Sequence, residues 1–336
     1  MAVAGNAERG TDAAGSAFIA RFFGWGMLAL TAAFLVNNVL TFWLGWPGVA
    51  PFFGWESTGE IGLQSGIQAA FYAVGLGVAF FYARARSDEA IRDDGHAATA
   101  LNRFLIRAAF WAVLFIGIAD TVVSFLRVEG LLGDYFSPEW ASGLNKSDFR
   151  GLYIHVPCIV AGIFVALILR HSLGFIWLAL LVVLAELLIV LSRFVFSYEQ
   201  AFMADLVRFW YAALFLFASA YTLLEDGHVR VDVVYAGMTR RGKAFVNAWG
   251  AILLGMTLCW TILLVGMWSS AAIINSPILV WETTQTGFGM YVKYLMAGFL
   301  AIFAVSMMIQ FVASFFDAQA DRRGESGHRE HEEIMH

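Results

Sequence analysis

Eight runs of apolar residues, each near the roughly 20 helical residues that cross a hydrocarbon core of about 30 Å, limit this 336-residue chain to a membrane fold. They lie at 22–44, 64–83, 104–126, 151–169, 173–195, 206–224, 245–271 and 291–316. Only "RHSL" (170–173) divides the fourth from the fifth. The stretch 151–195 is nevertheless too long for one crossing, and Arg170 with His171 breaks it into a tight helical hairpin. Backbone in lipid must satisfy its own N–H and C=O groups, so the runs are expected as helices. The fold class is therefore all-α, a polytopic membrane helical bundle of about eight transmembrane helices. Composition agrees, with 60% hydrophobic and 14% charged residues and a mean hydropathy of +0.70, far from a soluble domain of this size.

Orientation follows from the basic residues. Of 21 Lys and Arg, six (Arg127, Lys146, Arg150, Arg193, Arg208 and Lys293) fall at one set of run ends, and the other fifteen on the opposite side with the two termini. The positive-inside rule then places both termini in the cytoplasm. The two cysteines, Cys158 and Cys259, lie inside apolar runs, which excludes a disulfide framework or a Cys-rich zinc site. Haem in such a bundle needs facing axial ligands. His96, His171, His228, His328, His331 and His336 fall in loops or the tail, leaving His155 alone among the runs, where it reads as a satisfied interfacial histidine. No cofactor is expected, and no nucleotide-binding loop or nucleophile–histidine pair marks the chain as an enzyme.

Charges within the runs are few, and each costs roughly 2.5–3.5 kcal/mol on insertion scales. Asp120 and Glu186 are the intramembrane acids. "ADTVVSFLR" (119–127) and "AELLIVLSR" (185–193) each place the acid seven residues before an arginine, hence on one helical face. The echo extends to "RGLY" (150–153) and "RFWY" (208–211), so the third and fourth runs resemble a divergent copy of the fifth and sixth. Two readings stand for the acids: a proton or cation relay, or interhelical polar pins that hold the bundle in register. Asn37 and Asn38 read as pins of the same kind.

The polar segment "LLEDGHVRVDVVYAGMTRRGKAF" (223–245) interrupts this pattern. Val231, Val234, Tyr235 and Met238 recur at helical period, so the segment reads as a short interfacial helix ahead of the seventh run. Either it only sets topology or it anchors something.

Ordered motifs then bring a family into view. "RFVF" (193–196), "DLVR" (205–208) and "DGHVRVD" (226–232), at matching topological positions over four spans, resemble the DctQ-like small membrane subunit of tripartite ATP-independent periplasmic (TRAP) transporters. The last, with its Gly-His-x-x-x-Asp spacing, is the most specific; Asp205 stands where the family more usually has Glu. The resemblance implies a non-catalytic scaffold beside a large TRAP permease subunit, which carries the substrate and sodium sites, with a periplasmic solute-binding protein delivering a small organic acid at the bacterial inner membrane. It also implies subunit-interface or structural roles for Arg193, Asp205, Arg208, Gly227, His228, Arg230 and Asp232. Besides these chains only the lipid bilayer is an expected partner; no nucleic acid is. The expected organisation is an N-terminal extension of four spans (1–170), a DctQ-like four-helix domain (171–320) and a polar cytoplasmic tail (321–336). The rival reading is a self-sufficient carrier coupled through Asp120 and Glu186. The 128–150 loop, with Tyr135, Phe136 and Trp140, is the largest external feature on which a binding protein could dock.

Overall fold

The computed structural model describes residues 2–53, 62–169, 175–224, 233–284 and 288–327. It is all-helical, with 82% helix and no strand among the described residues. Eight helices are long and apolar enough to cross a membrane. They are α1 (Ala2–Phe42), α2 (Leu63–Ala85) and α3 (Ile91–Val128); α4 (Ser147–Ile168); α5 (Phe175–Phe196) and α6 (Ala201–Leu224); α7 (Arg240–Met267); and α8 (Lys293–Arg323). Each contains most of one apolar run. Where bounds differ, the helix usually extends into polar sequence: α3 starts at Ile91, well before the run at 104–126, and α7 takes in Arg240, Arg241 and Lys243.

Chain contacts divide the molecule into two compact units. The first comprises residues 1–101, 229–260 and 307–336. Its core is built from small and aromatic side chains of α1, α7 and α8, among them Ala17, Ala20, Ala248, Met256, Met308 and Phe316. Polar clamps supplement this packing. Asn37 Nδ2 donates to Ala33 O (3.0 Å) and across to Gln68 O (3.1 Å), while the Gln68 amide bonds Thr41 Oγ1 (3.0 Å) and accepts from Gly48 N (2.7 Å). A buried amide in apolar surroundings needs such partners. Asn37 is thus the pin its sequence position suggests.

Arg21 is a larger departure from the sequence reading, which counts it only as a topology signal. It is fully buried; its Nε donates to Asp94 Oδ2 (2.6 Å) and its other nitrogens donate to Arg86 O and Glu89 O. At the start of α3, the Glu325 carboxylate accepts from the N–H groups of Ile91 (3.2 Å) and Arg92 (3.1 Å). An anion on the orphan donors of a helix N-terminus is favourable. Arg92 in turn bonds Asp321 (2.6 Å), which Arg240 also reaches (3.1 Å). Residues 321–325, assigned from sequence to a polar tail, thus finish α8 and its ion cluster.

The second unit comprises residues 102–228 and 261–306. Its core joins α3, α6 and the start of α8 through Phe110, Val113, Phe209, Trp210, Phe217 and Phe299. The loop after α3 folds into short helices, Leu132–Tyr135 and Pro138–Gly143, before α4 begins. Leu144 is buried with Val123 and Leu132, and the Trp140 ring packs edge-on against Phe149 at 5.2 Å between centroids.

Candidate functional site

The polar centre of the second unit is Asp120. Three elements of the fold build its surroundings. On α3, Asp120, Ser124 and Arg127 stand at i, i+4 and i+7 and share a face. At the start of α4, residues Gly151–His155 form a π-helical turn directly after Arg150. In an α-helix residues five apart point about 140° from one another; the wider turn narrows that angle, so Arg150 and His155 both reach Asp120. Glycine at 151 lets the Trp281 ring pack against this turn, since a Cβ there would lie 2.0 Å from the ring. Finally, the segment before α8 brings the Tyr291 amide alongside.

Asp120 Oδ1 accepts from Arg150 Nη1 (3.0 Å) and lies 3.3 Å from His155 Nε2, while Oδ2 accepts from Tyr291 N (2.9 Å). Arg150 Nη1 also donates to Ser124 Oγ (2.9 Å), and its Nε to Leu144 O (2.6 Å). His155 Nδ1 meets the Tyr294 hydroxyl at 2.5 Å. His155 thus bridges Asp120 and Tyr294 through its two ring nitrogens. Arg150 and Arg127 both lie over the Tyr291 ring, at 4.3 and 4.6 Å, and Arg127 Nη2 donates to Gly289 O (2.6 Å). Exposure decides what this cluster can do: Asp120 and Arg150 are 0% exposed and His155 is 1% exposed. With three partners around its carboxylate, Asp120 ties α3 to the start of α4 and to the segment before α8.

Asp205 repeats the device on α6. It is 4% exposed, and its Oδ2 accepts from Met290 N (3.0 Å) and lies 3.5 Å from Thr284 Oγ1. Its Oδ1 meets Arg208 Nη1 at 3.3 Å. Met290 and Tyr291, consecutive residues, thus give their amides to carboxylates on α6 and α3. Arg193, by contrast, pairs with Glu199 at 3.3 Å on exposed surface. The structure therefore joins Asp205 with Arg208 and leaves Arg193 out of that lock.

Glu186 differs from Asp120 in burial and in partners. It is exposed on α5 and makes no hydrogen bond or ion pair among the described residues. The sequence echo between 119–127 and 185–193 therefore does not carry over to geometry. Asp120 and Arg127 share a face of α3 as expected, and each has its own partner, Arg150 for the acid and Gly289 O for the arginine. Gly227, His228, Arg230 and Asp232 lie outside the described residues. Immediately after them, Val233–Ala236 form a short helix. Tyr235 there accepts from Asn247 Nδ2 (2.8 Å), and Lys243 lies over its ring at 5.3 Å.

In the sequence Arg21 carries only a topology signal, and Arg150 that signal and the "RGLY" echo, so neither their burial nor their carboxylate partners can be read from these signals. A usable signal existed for Arg150: it enters the span that follows an acid-bearing span, close to that acid's depth. Among the described residues no three His, Cys, Asp or Glu side chains gather as a metal site.

Comparison with curated proteins and with solved structures returned no match. Residues 179–321 match the family model described as Tripartite ATP-independent periplasmic transporters, DctQ component, so the stretch from α5 to α8 carries the DctQ domain of a multi-pass membrane protein.

Proposed function

We propose that this chain is the small permease subunit of a TRAP-type secondary transporter, a non-catalytic scaffold for a large permease subunit in the bacterial inner membrane, with both termini cytoplasmic. The match of residues 179–321 to the DctQ component carries this reading. The burial of Asp120 among Arg150, His155 and the Tyr291 amide supports it, since the acid joins α3, α4 and the segment before α8. On this reading α1–α4 (1–170) extend the scaffold, 171–320 form the DctQ-like domain, and sodium and the organic acid bind on the large subunit. Arg193, Asp205 and Arg208 shape the outer face. Gly227, His228, Arg230 and Asp232 anchor the cytoplasmic side.

The periplasmic binding protein docks on the outer loop. Support comes from the aromatic group Trp140, Phe149 and Tyr153 beside a groove of about 490 Å³, which Glu139, Lys146 and Asp148 also line.

Reconstitution tests the function. Proteoliposomes containing this chain alone are expected to take up no solute. Adding the large permease subunit and the binding protein is expected to give sodium-dependent uptake of an organic acid. Uptake by the chain alone, lost on neutralising Asp120, would overturn the reading.

A further inference from the structure

α5 is the barest of the eight spans. Of its window Ala179–Phe196 only 6% is buried, against 44% of the corresponding part of α6. One face, with Leu181, Val182, Ala185 and Ile189, packs into the core of its unit. Beside it runs a stripe at helical spacing: Val183 (61% exposed), Glu186, Val190 (47%) and Phe194 (78%). Lipid can cover the apolar members of that stripe, but it cannot supply a partner for Glu186. The residue stands midway along Phe175–Phe196, so either helix end is about 16 Å away along the axis. A glutamate side chain, unlike a long lysine or arginine at a span end, cannot snorkel that far.

The neighbouring basic residue on the same side, Arg193, is already engaged with Glu199. A carboxylate at mid-span in hydrocarbon is costly, and such residues ordinarily face a partner that completes them.

We infer that the Val183–Glu186–Val190–Phe194 stripe of α5 is the seat of a transmembrane helix of the large permease subunit, and that this helix brings an arginine or lysine to Glu186 at mid-membrane depth. The inference rests on the function proposed above and adds to it the contact face and the chemistry of the contacting residue. Charge complementarity selects the occupant. A second copy of this chain seated on the same stripe by two-fold symmetry would bring Glu186 against Glu186, and a lipid tail would bring nothing.

The test uses the complex purified with its large subunit in nanodiscs. Photoreactive residues at Val183 and Val190 are expected to crosslink to one span of the large subunit, and mapping of the crosslinked peptide is expected to find an Arg or Lys there. Glu186→Arg is expected to lower recovery of the large subunit by about ten-fold or more, since one charge is then buried against its like. Replacing the mapped basic residue by Glu in the same background is expected to restore recovery.

Crosslinks to a second copy of this chain, crosslinks to lipid alone, or full recovery of the complex with Glu186→Arg would each overturn the inference while leaving the scaffold function in place. A wild-type chain that recovers no large subunit would overturn both.

Discussion

Asp120 and Arg150 meet at 3.0 Å with neither side chain reaching the protein surface. Removing one partner of such a pair leaves an uncompensated buried charge, and losses of about 3–5 kcal/mol are usual for that. Arg150→Met should therefore sharply lower the thermal midpoint of the detergent-solubilised chain. Asp120→Asn in the same background should cost much less than it does alone, because the charge it removes no longer has a counter-ion. A double-mutant cycle reads this coupling directly. Additive effects would mean that the two groups do not depend on each other.

The second carboxylate serves the same segment from another helix. Asp205→Ala would leave the amide of Met290 buried without an acceptor, an omission worth about 1–3 kcal/mol. The expected outcome is a modest fall in stability with faster proteolysis in 268–292, because Met290 N is tied to Asp205 and Tyr291 N to Asp120. Asp205→Asn keeps an acceptor oxygen and should be milder. Equal cleavage rates in wild type and Asp205→Ala would show that the loop is held by other means.

How much of this was legible beforehand depended on which solvent each group answers to. Spans were readable because lipid demands long uninterrupted apolar helices, and the DctQ resemblance was readable because its motifs sit at the ends of those helices. Side-chain pairing was far less so. The sequence places Asp120 and Arg127 on one face of α3 but does not give the acid's partner: Arg150 reaches it because the π-helical turn at 151–155 brings Arg150 and His155 to the same side, and nothing in "RGLYIH" announces that turn. Arg21 illustrates the same limit. Its burial depends on Asp94 and on the carbonyls of Arg86 and Glu89, contacts that bring together distant parts of the sequence. Glu186 and Asp120 were indistinguishable as mid-span acids, and only the packing of their helices separates a satisfied carboxylate from one that awaits a partner.

Close helix approach yields a further prediction. A Cβ at Gly162 would lie 2.5 Å from the backbone nitrogen of Ala112, so α4 approaches α3 only because residue 162 has no side chain. Gly162→Val cannot be relieved by turning a side chain, as the obstacle is backbone. Overpacking of this kind costs about 1–3 kcal/mol or more. A lowered thermal midpoint with normal membrane insertion is expected; unchanged stability would place the two helices further apart.

Outside the spans, Tyr198 donates to Glu129 at 2.7 Å. Partial burial, followed by the bond to that carboxylate and its negative charge, pushes the phenol up to about 12 from its usual value near 10. The folded state thus holds this proton more tightly than the unfolded chain. The resulting stabilisation is complete below pH 10 and is lost as pH rises through about 12. Difference ultraviolet titration against the wild type should show that Tyr198→Phe removes one late-ionising phenol and that Glu129→Gln moves the same phenol back towards its usual value.

The last prediction concerns the end of α8. Asp321 receives Arg92 at 2.6 Å and Arg240 at 3.1 Å, so one carboxylate neutralises cations at the starts of both α3 and α7. Positive charge at a helix N-terminus opposes the helix dipole, and Arg240 opens α7 with Arg241 and Lys243 close behind. Asp321 therefore offsets two unfavourable placements at once. The side chain of Arg92 is 9% exposed and that of Arg240 is 42% exposed, so the two bonds differ in how far water and salt screen them. Asp321→Asn should lower stability, with a salt-sensitive part that disappears in Arg240→Gln and a salt-resistant part that persists there. If the whole effect of Asp321→Asn vanished at high ionic strength, Arg92 would have to be as open to solvent as Arg240, contrary to its burial.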